Sequence, residues 1–193
     1  MVAWETREEV VKGIVFAEFI GMVEARFSAE VADRIISSSK LATGGAYTSV
    51  GTYNHLELLE LVERLSDETG IDSRELVKAF GEYLLLRFVQ RYPSYFETHH
   101  SAFDFLATID SKIHVEVRKL YPDAELPSFT QVFPSPDRMV LTYRSSRPFG
   151  DLAEGLIRGC ITHYGTPIRL AREDLAGGQG AHVRFTLIMQ DDD

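Results

Sequence analysis

The chain has 193 residues, 45% hydrophobic and 25% charged, which supplies a sizeable core and excludes a disordered or collagen-like chain. Lys and Arg number 20 against 29 Asp and Glu, and the net charge of −9 argues against a dedicated nucleic-acid binder. The single cysteine, Cys160, excludes an internal disulfide and a four-thiolate zinc site and fits a reducing, cytoplasmic setting.

The N-terminus MVAWETREEV lacks the basic-then-apolar order of a signal peptide, and the apolar run IVFAEFIGMV is broken by Glu18, so neither export nor a membrane span is expected. From Val11 to about Phe27 apolar residues recur at steps of three and four, which predicts a helix. Ser28 or a neighbour starts a second helix through AEVADRIISS. The stretch SSSKLATGGAYTSVGTYNH is rich in Ser, Thr and Gly and reads as a loop or short turns. Leu56, Leu58, Leu59, Leu61, Val62 and Leu65 then form an amphipathic helix that stops near Gly70. Asp72 or Ser73 caps the next one, which runs to Pro93. From 103 to about 121 the stripe Leu106, Ile109, Ile113, Val117 and Leu120 predicts a single long helix, the clearest periodicity in the chain.

After Pro127 the pattern changes. SFTQVF and MVLTYRS are β-type runs joined by PSPDR, a helix follows over roughly 151 to 164, and TPIRLA and HVRFTLIM flank the Gly-rich turn AGGQG. The order predicts an α+β fold: a helical N-terminal part, then a C-terminal antiparallel sheet with an inserted helix.

Familiar catalytic signatures are missing: there is no phosphate-binding Gly-Lys-Ser/Thr loop, nucleophile elbow, HExxH or CxxC. GGQG is a turn and not a dinucleotide fingerprint, and Cys160 reads as a small buried hydrophobe. The pair His99-His100 reads as surface histidines. His114 stands apart because it lies inside the amphipathic helix, either as a hydrogen-bonded core residue or as a metal ligand. Tyr143, Ser145 and Arg147 alternate along a strand run and so share a face. That face is either solvated or an anion clamp, since a guanidinium backed by two hydroxyls matches a carboxylate.

These two features occur within longer phrases. His114 lies in FDFLATIDSKIHVEVRKLYPDAELP, and the motif Y-x-S-x-R is present as YRSSR; with KGIVFAEF, KAFGEYL and LAEGLIRG, the chain resembles the heme-nitric oxide/oxygen binding (H-NOX) family. These are bacterial relatives of the heme domain of soluble guanylate cyclase, and the resemblance runs from Val11 to the final strand. It implies the H-NOX fold and heme b (iron protoporphyrin IX) as cofactor. His114 would be the axial ligand to the iron, with Tyr143, Ser145 and Arg147 on the propionates and Pro127 pressing on the porphyrin. In oxygen-binding members a tyrosine stands five residues after the motif's Arg, and here that residue is Leu152. Leu84 and Phe19 fall at the accompanying distal positions, with Val15 and Phe88 as further wall residues. An apolar distal set favours nitric oxide, and also carbon monoxide, over oxygen.

The resemblance further implies a sensor and not an enzyme. Nitric oxide binding would release His114 and move its helix, signalling to a separate partner such as a histidine kinase or a cyclic-dinucleotide enzyme, without nucleic acid or membrane. The cysteine-rich zinc site of some relatives is excluded by the single cysteine, which also removes a metal reading of His182. Family members begin at the equivalent of Val11-Lys12-Gly13, which leaves residues 1–10 as an extension before a single domain over 11–193. The competing readings are a heme-free small-molecule binding or scaffolding module, in which His114 is a core residue, and an oxygen-binding heme protein.

Overall fold

In the computed structural model residues 10–175, 177 and 179–190 are described, so the expected extension lies, except for Val10, outside the described residues. The chain divides between Gly70 and Ile71 into two units.

The first unit opens on a strand, not on the helix predicted from Val11. Val10–Lys12 (β1) pairs antiparallel with Thr52–Asn54 (β2), a strand within the stretch expected to be loop. The β-branched Val10 and Val11 suit an extended backbone once a partner is present, and the helix Gly13–Arg26 (α1) begins only where the Gly13 N–H reaches the Gly51 carbonyl at 2.8 Å. Ser28 accepts the Val31 N–H to start Ala29–Ser38 (α2), and Asn54 accepts the Leu56 N–H to start His55–Thr69 (α3). Gly70 ends α3 at φ 71°, where a side chain would be strained. Phe16, Phe19, Met22, Val23, Ile35, Leu61 and Leu65 are buried. The Ser/Thr/Gly-rich loop is fastened to α3 by Glu57, which accepts from the Thr43 hydroxyl at 2.6 Å and the Tyr47 hydroxyl at 2.7 Å.

The second unit begins with Ser73–Arg91 (α4), capped by Asp72, whose side chain accepts the Arg74 N–H at 3.0 Å. Pro93 stops it and starts a short helix that the sequence did not predict, Ser94–Glu97 (α5). The single helix expected over 103–121 is broken into Ala102–Leu106 (α6), a π-helical turn at Ile109–Ile113, and His114–Leu120 (α7). The break is at Thr108, whose N–H and hydroxyl both bond the Phe105 carbonyl, at 2.9 and 2.8 Å. The next turn is wide: Lys112 and Ile113 both donate to the Thr108 carbonyl, and the His114 N–H reaches the Ile109 carbonyl.

Four antiparallel strands follow, Ser128–Ser135 (β3), Arg138–Arg144 (β4), Ile168–Asp174 (β5) and His182–Met189 (β6), in the order β3-β4-β6-β5. The β3–β4 turn is tighter than the predicted PSPDR linker, since Pro134 and Ser135 remain on β3, where the register shifts after Val132. A proline is tolerated there because β3 is an edge strand. Of the turn AGGQG between β5 and β6, residues 176 and 178 lie outside the described residues. Met139, Leu141 and Tyr143 of β4 and Val183, Phe185 and Leu187 of β6 form the buried face. Gly150–Tyr164 (α8), the inserted helix, packs on α4. The glycines of KAFGEYL and LAEGLIRG make that approach close: a Cβ on Gly81 would lie 2.6 Å from the Leu152 carbonyl, and one on Gly155 would strike the Lys78 carbonyl.

Candidate functional site

The wide turn ends on His114, which is 9% exposed. Its Nδ1 lies 2.8 Å from Asp110 Oδ1. An ionised carboxylate only accepts, so Nδ1 carries the hydrogen and Nε2 keeps its lone pair. Burial holds the imidazole below its ordinary pKa, against the pull of Asp110. The other Asp110 oxygen accepts the Phe129 N–H at 2.9 Å, tying the turn to the start of β3. The Phe129 ring stands 6.0 Å from the His114 ring and 5.4 Å from that of Tyr143, its cross-strand partner.

Tyr143, Ser145 and Arg147 converge as expected, but not as one strand face. Strand β4 ends at Arg144, opposite the first residue of β6. Ser145 makes one more backbone bond, to the Ala181 carbonyl at 2.9 Å, and its Oγ then accepts the Arg147 N–H at 3.1 Å, so the chain bends. The face is not solvated either: Tyr143 is 2% and Arg147 4% exposed. Burial raises the Tyr143 phenol above its usual pKa, while the Ser145 hydroxyl and the Arg147 charge pull it down. Arg147 donates to the Glu125 backbone carbonyl and pairs with its carboxylate at 3.5 Å. Half-buried Pro127 lies two residues further on, just before β3.

Leu84 is buried on α4 with half-buried Phe88 one turn later, and half-buried Leu152 is on α8, so these three share the α4–α8 pair. Phe88 packs on the same core cluster that contains Phe129 and Tyr143. The first turns of α8 are fixed by Arg172 of β5, which pairs with Asp151, Glu154 and Asp174. Phe19, buried, and Val15, half-buried, belong to α1 of the first unit. Cys160 is buried as expected, its thiol pushed up to about 12 by burial. Of the histidine pair only His100 is exposed; His99 is half-buried, with Nδ1 3.0 Å from the Tyr95 carbonyl and Nε2 3.2 Å from the Thr108 hydroxyl.

Sequence reasoning missed three partners. Asp110 was discoverable, since it precedes His114 by four residues, a spacing that pairs side chains on a helix. Glu125 and Phe129 meet the site through space and leave no local signal. Among the described residues no three His, Cys, Asp or Glu side chains gather into a metal site. His114 is therefore suited to be one ligand of a metal that brings its other ligands with it, and the Tyr-Ser-Arg group is suited to carboxylates.

A family model described as haem-NO-binding matches residues 12–172. Among solved structures, the chain is similar to the Fe(II) unliganded H-NOX protein from K. algicida at 34% identity, covering 94% of this chain and 98% of that one, TM-score 0.87. It is similar also to the IWP-051-bound H-NOX from Shewanella woodyi in the Fe(II)CO state, at 37% identity over 93% and 95% of the two chains, TM-score 0.80. An H-NOX protein from S. oneidensis in the Fe(II)NO state, at 24% identity over 94% and 100%, TM-score 0.85, shares the fold. A comparison with curated proteins finds no match.

Proposed function

We propose, from the premise that this chain belongs to the haem-NO-binding (H-NOX) family, that it is a sensor of nitric oxide at ferrous heme b (iron protoporphyrin IX). The observation that carries the reading is the buried His114, its Nδ1 committed to Asp110, linked through Phe129 to Tyr143 of the Tyr-Ser-Arg group. This donor set fits heme: one neutral imidazole with a free Nε2, two hydroxyls, and a permanent cation. When bound, heme supplies an iron centre that takes a diatomic gas.

In this reading His114 would hold the iron through Nε2, with Asp110 fixing its tautomer and orientation. Tyr143, Ser145 and Arg147 would hold the propionates, and Pro127 would press on the porphyrin. By the family's pattern the distal residues are Leu152, Leu84 and Phe88, with Val15 and Phe19 from α1, and none of these side chains offers a hydrogen-bond donor. Such a lining would give no hydrogen bond to dioxygen, which would need one, whereas nitric oxide and carbon monoxide would need little help. Relatives solved with nitric oxide and with carbon monoxide bound support these two gases as the ligands to test.

With heme bound, His114 would be the one protein ligand on a movable helix, and its release would change the surface offered to a separate partner, for which a histidine kinase or a cyclic-dinucleotide enzyme is the proposal. The chain acts as a cytoplasmic sensor and not as an enzyme, with 11–193 as one domain after an extension at 1–10. No helix among the described residues is long and apolar enough to cross a membrane.

The test is the absorption spectrum of anaerobically reduced protein purified with heme supplied, before and after nitric oxide and, separately, air. The expected result is a heme spectrum that becomes five-coordinate with nitric oxide and shows no stable oxygen complex. Folded protein without any heme band would overturn the sensor reading in favour of a heme-free binding module, and a stable oxygen complex would overturn the assignment of Leu152.

A further inference from the structure

The sheet β3-β4-β6-β5 packs its core on one face only. Met139, Leu141 and Tyr143 of β4 and Val183, Phe185 and Leu187 of β6 point inward, and Arg172 of β5 points the same way, to the carboxylates of α8. Residues opposite one another in the ladder share a face, and neighbours along a strand do not. The register therefore assigns the outward set. Arg138 stands opposite Ile188, which stands opposite Arg169; Arg184 lies between Thr142 and Glu173; and Arg144 stands opposite His182.

All four of these arginines are exposed. Against them the outward ladder positions carry one carboxylate, Glu173, which pairs with Arg184 at 2.9 Å. Arg144 donates to His182 Nε2 at 3.2 Å, a contact that leaves its charge uncompensated. Arg138 and Arg169 form no ion pair among the described residues. A solvated face ordinarily mixes charges of both signs, whereas this one is basic on a chain of net charge −9. Between the basic positions runs an uncharged row, in which Val132, Val140, Thr186 and Ala171 stand opposite one another across all four strands. Val132 is 62% exposed.

We propose that this outward face is a docking surface for an acidic protein partner, whose amphipathic helix lies across the strands with its apolar stripe on the Val132 row and carboxylates on both flanks. Strands about 4.8 Å apart make that row about 14 Å long, the length of about nine helical residues. Successive rows of one face are about 7 Å apart along the strands, and a helix is about 10 Å wide. A helix centred on the Val132 row thus has Arg138 and Arg169 along one flank and Arg184 along the other. Each guanidinium offers a carboxylate a two-pronged donor. Nucleic acid fits less well, because a continuous polyanion would also meet the rest of an acidic chain. The inference rests on strand pairing and not on His114, so it can fail while the sensor reading stands.

The probe is a fluorescein-labelled helical peptide with a leucine stripe flanked by glutamates, titrated with the full chain and read by fluorescence anisotropy. Arg138→Glu together with Arg169→Glu reverses the two unpaired arginines. Arg26→Glu together with Lys40→Glu makes the same change in net charge at exposed residues of the first unit, and so controls for long-range repulsion. Val132→Ser removes apolar contact at a side chain that the fold leaves in solvent. Equal urea midpoints check that each variant folds. Binding should saturate and should weaken as NaCl rises from about 20 to 200 mM. The reversal at 138 and 169 should weaken it by about tenfold or more, Val132→Ser severalfold, and the matched control by about twofold at most.

A peptide that does not bind saturably, or that loses equally in the two reversed proteins, overturns the docking surface. Duplex DNA or phosphatidylglycerol vesicles that bind through Arg138 and Arg169 where the peptide does not overturn the protein partner in favour of that polyanion. A wild-type chain that self-associates in sedimentation velocity, while the reversed chain does not, assigns the face to a second copy instead. Peptide binding that emerges only when the chain is ended at Gln190 assigns it to the chain's own Asp191, Asp192 and Asp193.

Discussion

Replacing Asp110 with Ala removes the acceptor of two donors at once. Asp110 takes the His114 Nδ1–H at 2.8 Å and the Phe129 N–H at 2.9 Å. Leaving a buried donor unpaired costs about 1–3 kcal/mol. The Asp110 side chain is 38% exposed, so water reaches part of the site, and the expected loss for the two donors together is about 1–2 kcal/mol. In heme-loaded protein the ring also loses the anion that orients it, and losses of this kind weaken metal binding by about 10- to 100-fold. Urea unfolding of the heme-free chain measures the first effect, and transfer of heme to excess apomyoglobin measures the second. Asp110→Asn has one oxygen where two are needed, so it should fall between wild type and Ala on both scales. An Asp110→Ala chain that unfolds at the wild-type urea concentration and keeps heme as long would refute the bridging role.

Leu152→Tyr should introduce a donor toward bound gas and slow oxygen dissociation from the ferrous protein by about 10- to 100-fold, the worth of a hydrogen bond to a charged group; flash photolysis reads this directly, and an unchanged rate would move Leu152 away from the gas. Gly155→Ala places a Cβ against the Lys78 carbonyl, and because backbone cannot swing aside, overpacking should cost about 1–3 kcal/mol in urea unfolding. Cys160 ionises near 9 when exposed and near 12 when folded, so the unfolded chain loses its proton first and the stability contributed by the neutral thiol drains away as pH rises from 9 toward 12. Urea midpoints measured between about pH 8 and 10 should fall, and Cys160→Ala should flatten that slope.

Two helix starts were legible because their signals are local. Ser28 and Asp72 accept an N–H three and two residues ahead, and such caps are written in adjacent sequence. Strand β1 was not, because its partner at Thr52–Asn54 lies some forty residues away and the local apolar period pointed to helix. The YRSSR segment shows a different failure. The period of two assumes that a strand continues, yet β6 begins opposite Arg144 and the Ser145 hydroxyl bends the chain at once. The three side chains still converge, held by that bend and by Glu125, neither of which the pattern contained.

The stripe from Leu106 to Leu120 misled for a more informative reason. Thr108 ends α6 by its own bonds to the Phe105 carbonyl, so Leu106 belongs to a different helix from the rest. Beyond that break the stripe is used only in part: Ile113 and Val117 are half-buried, while after the wide turn His114 is buried and Leu120 is 57% exposed. Local pattern and native packing usually agree, and their conflicts gather at functional positions. Here the conflict is confined to the turn that ends on His114 and the helix that follows it. A helix selected for stability alone would bury Leu120 along with Ile113 and Val117, and this one leaves Leu120 outside while His114 faces inward.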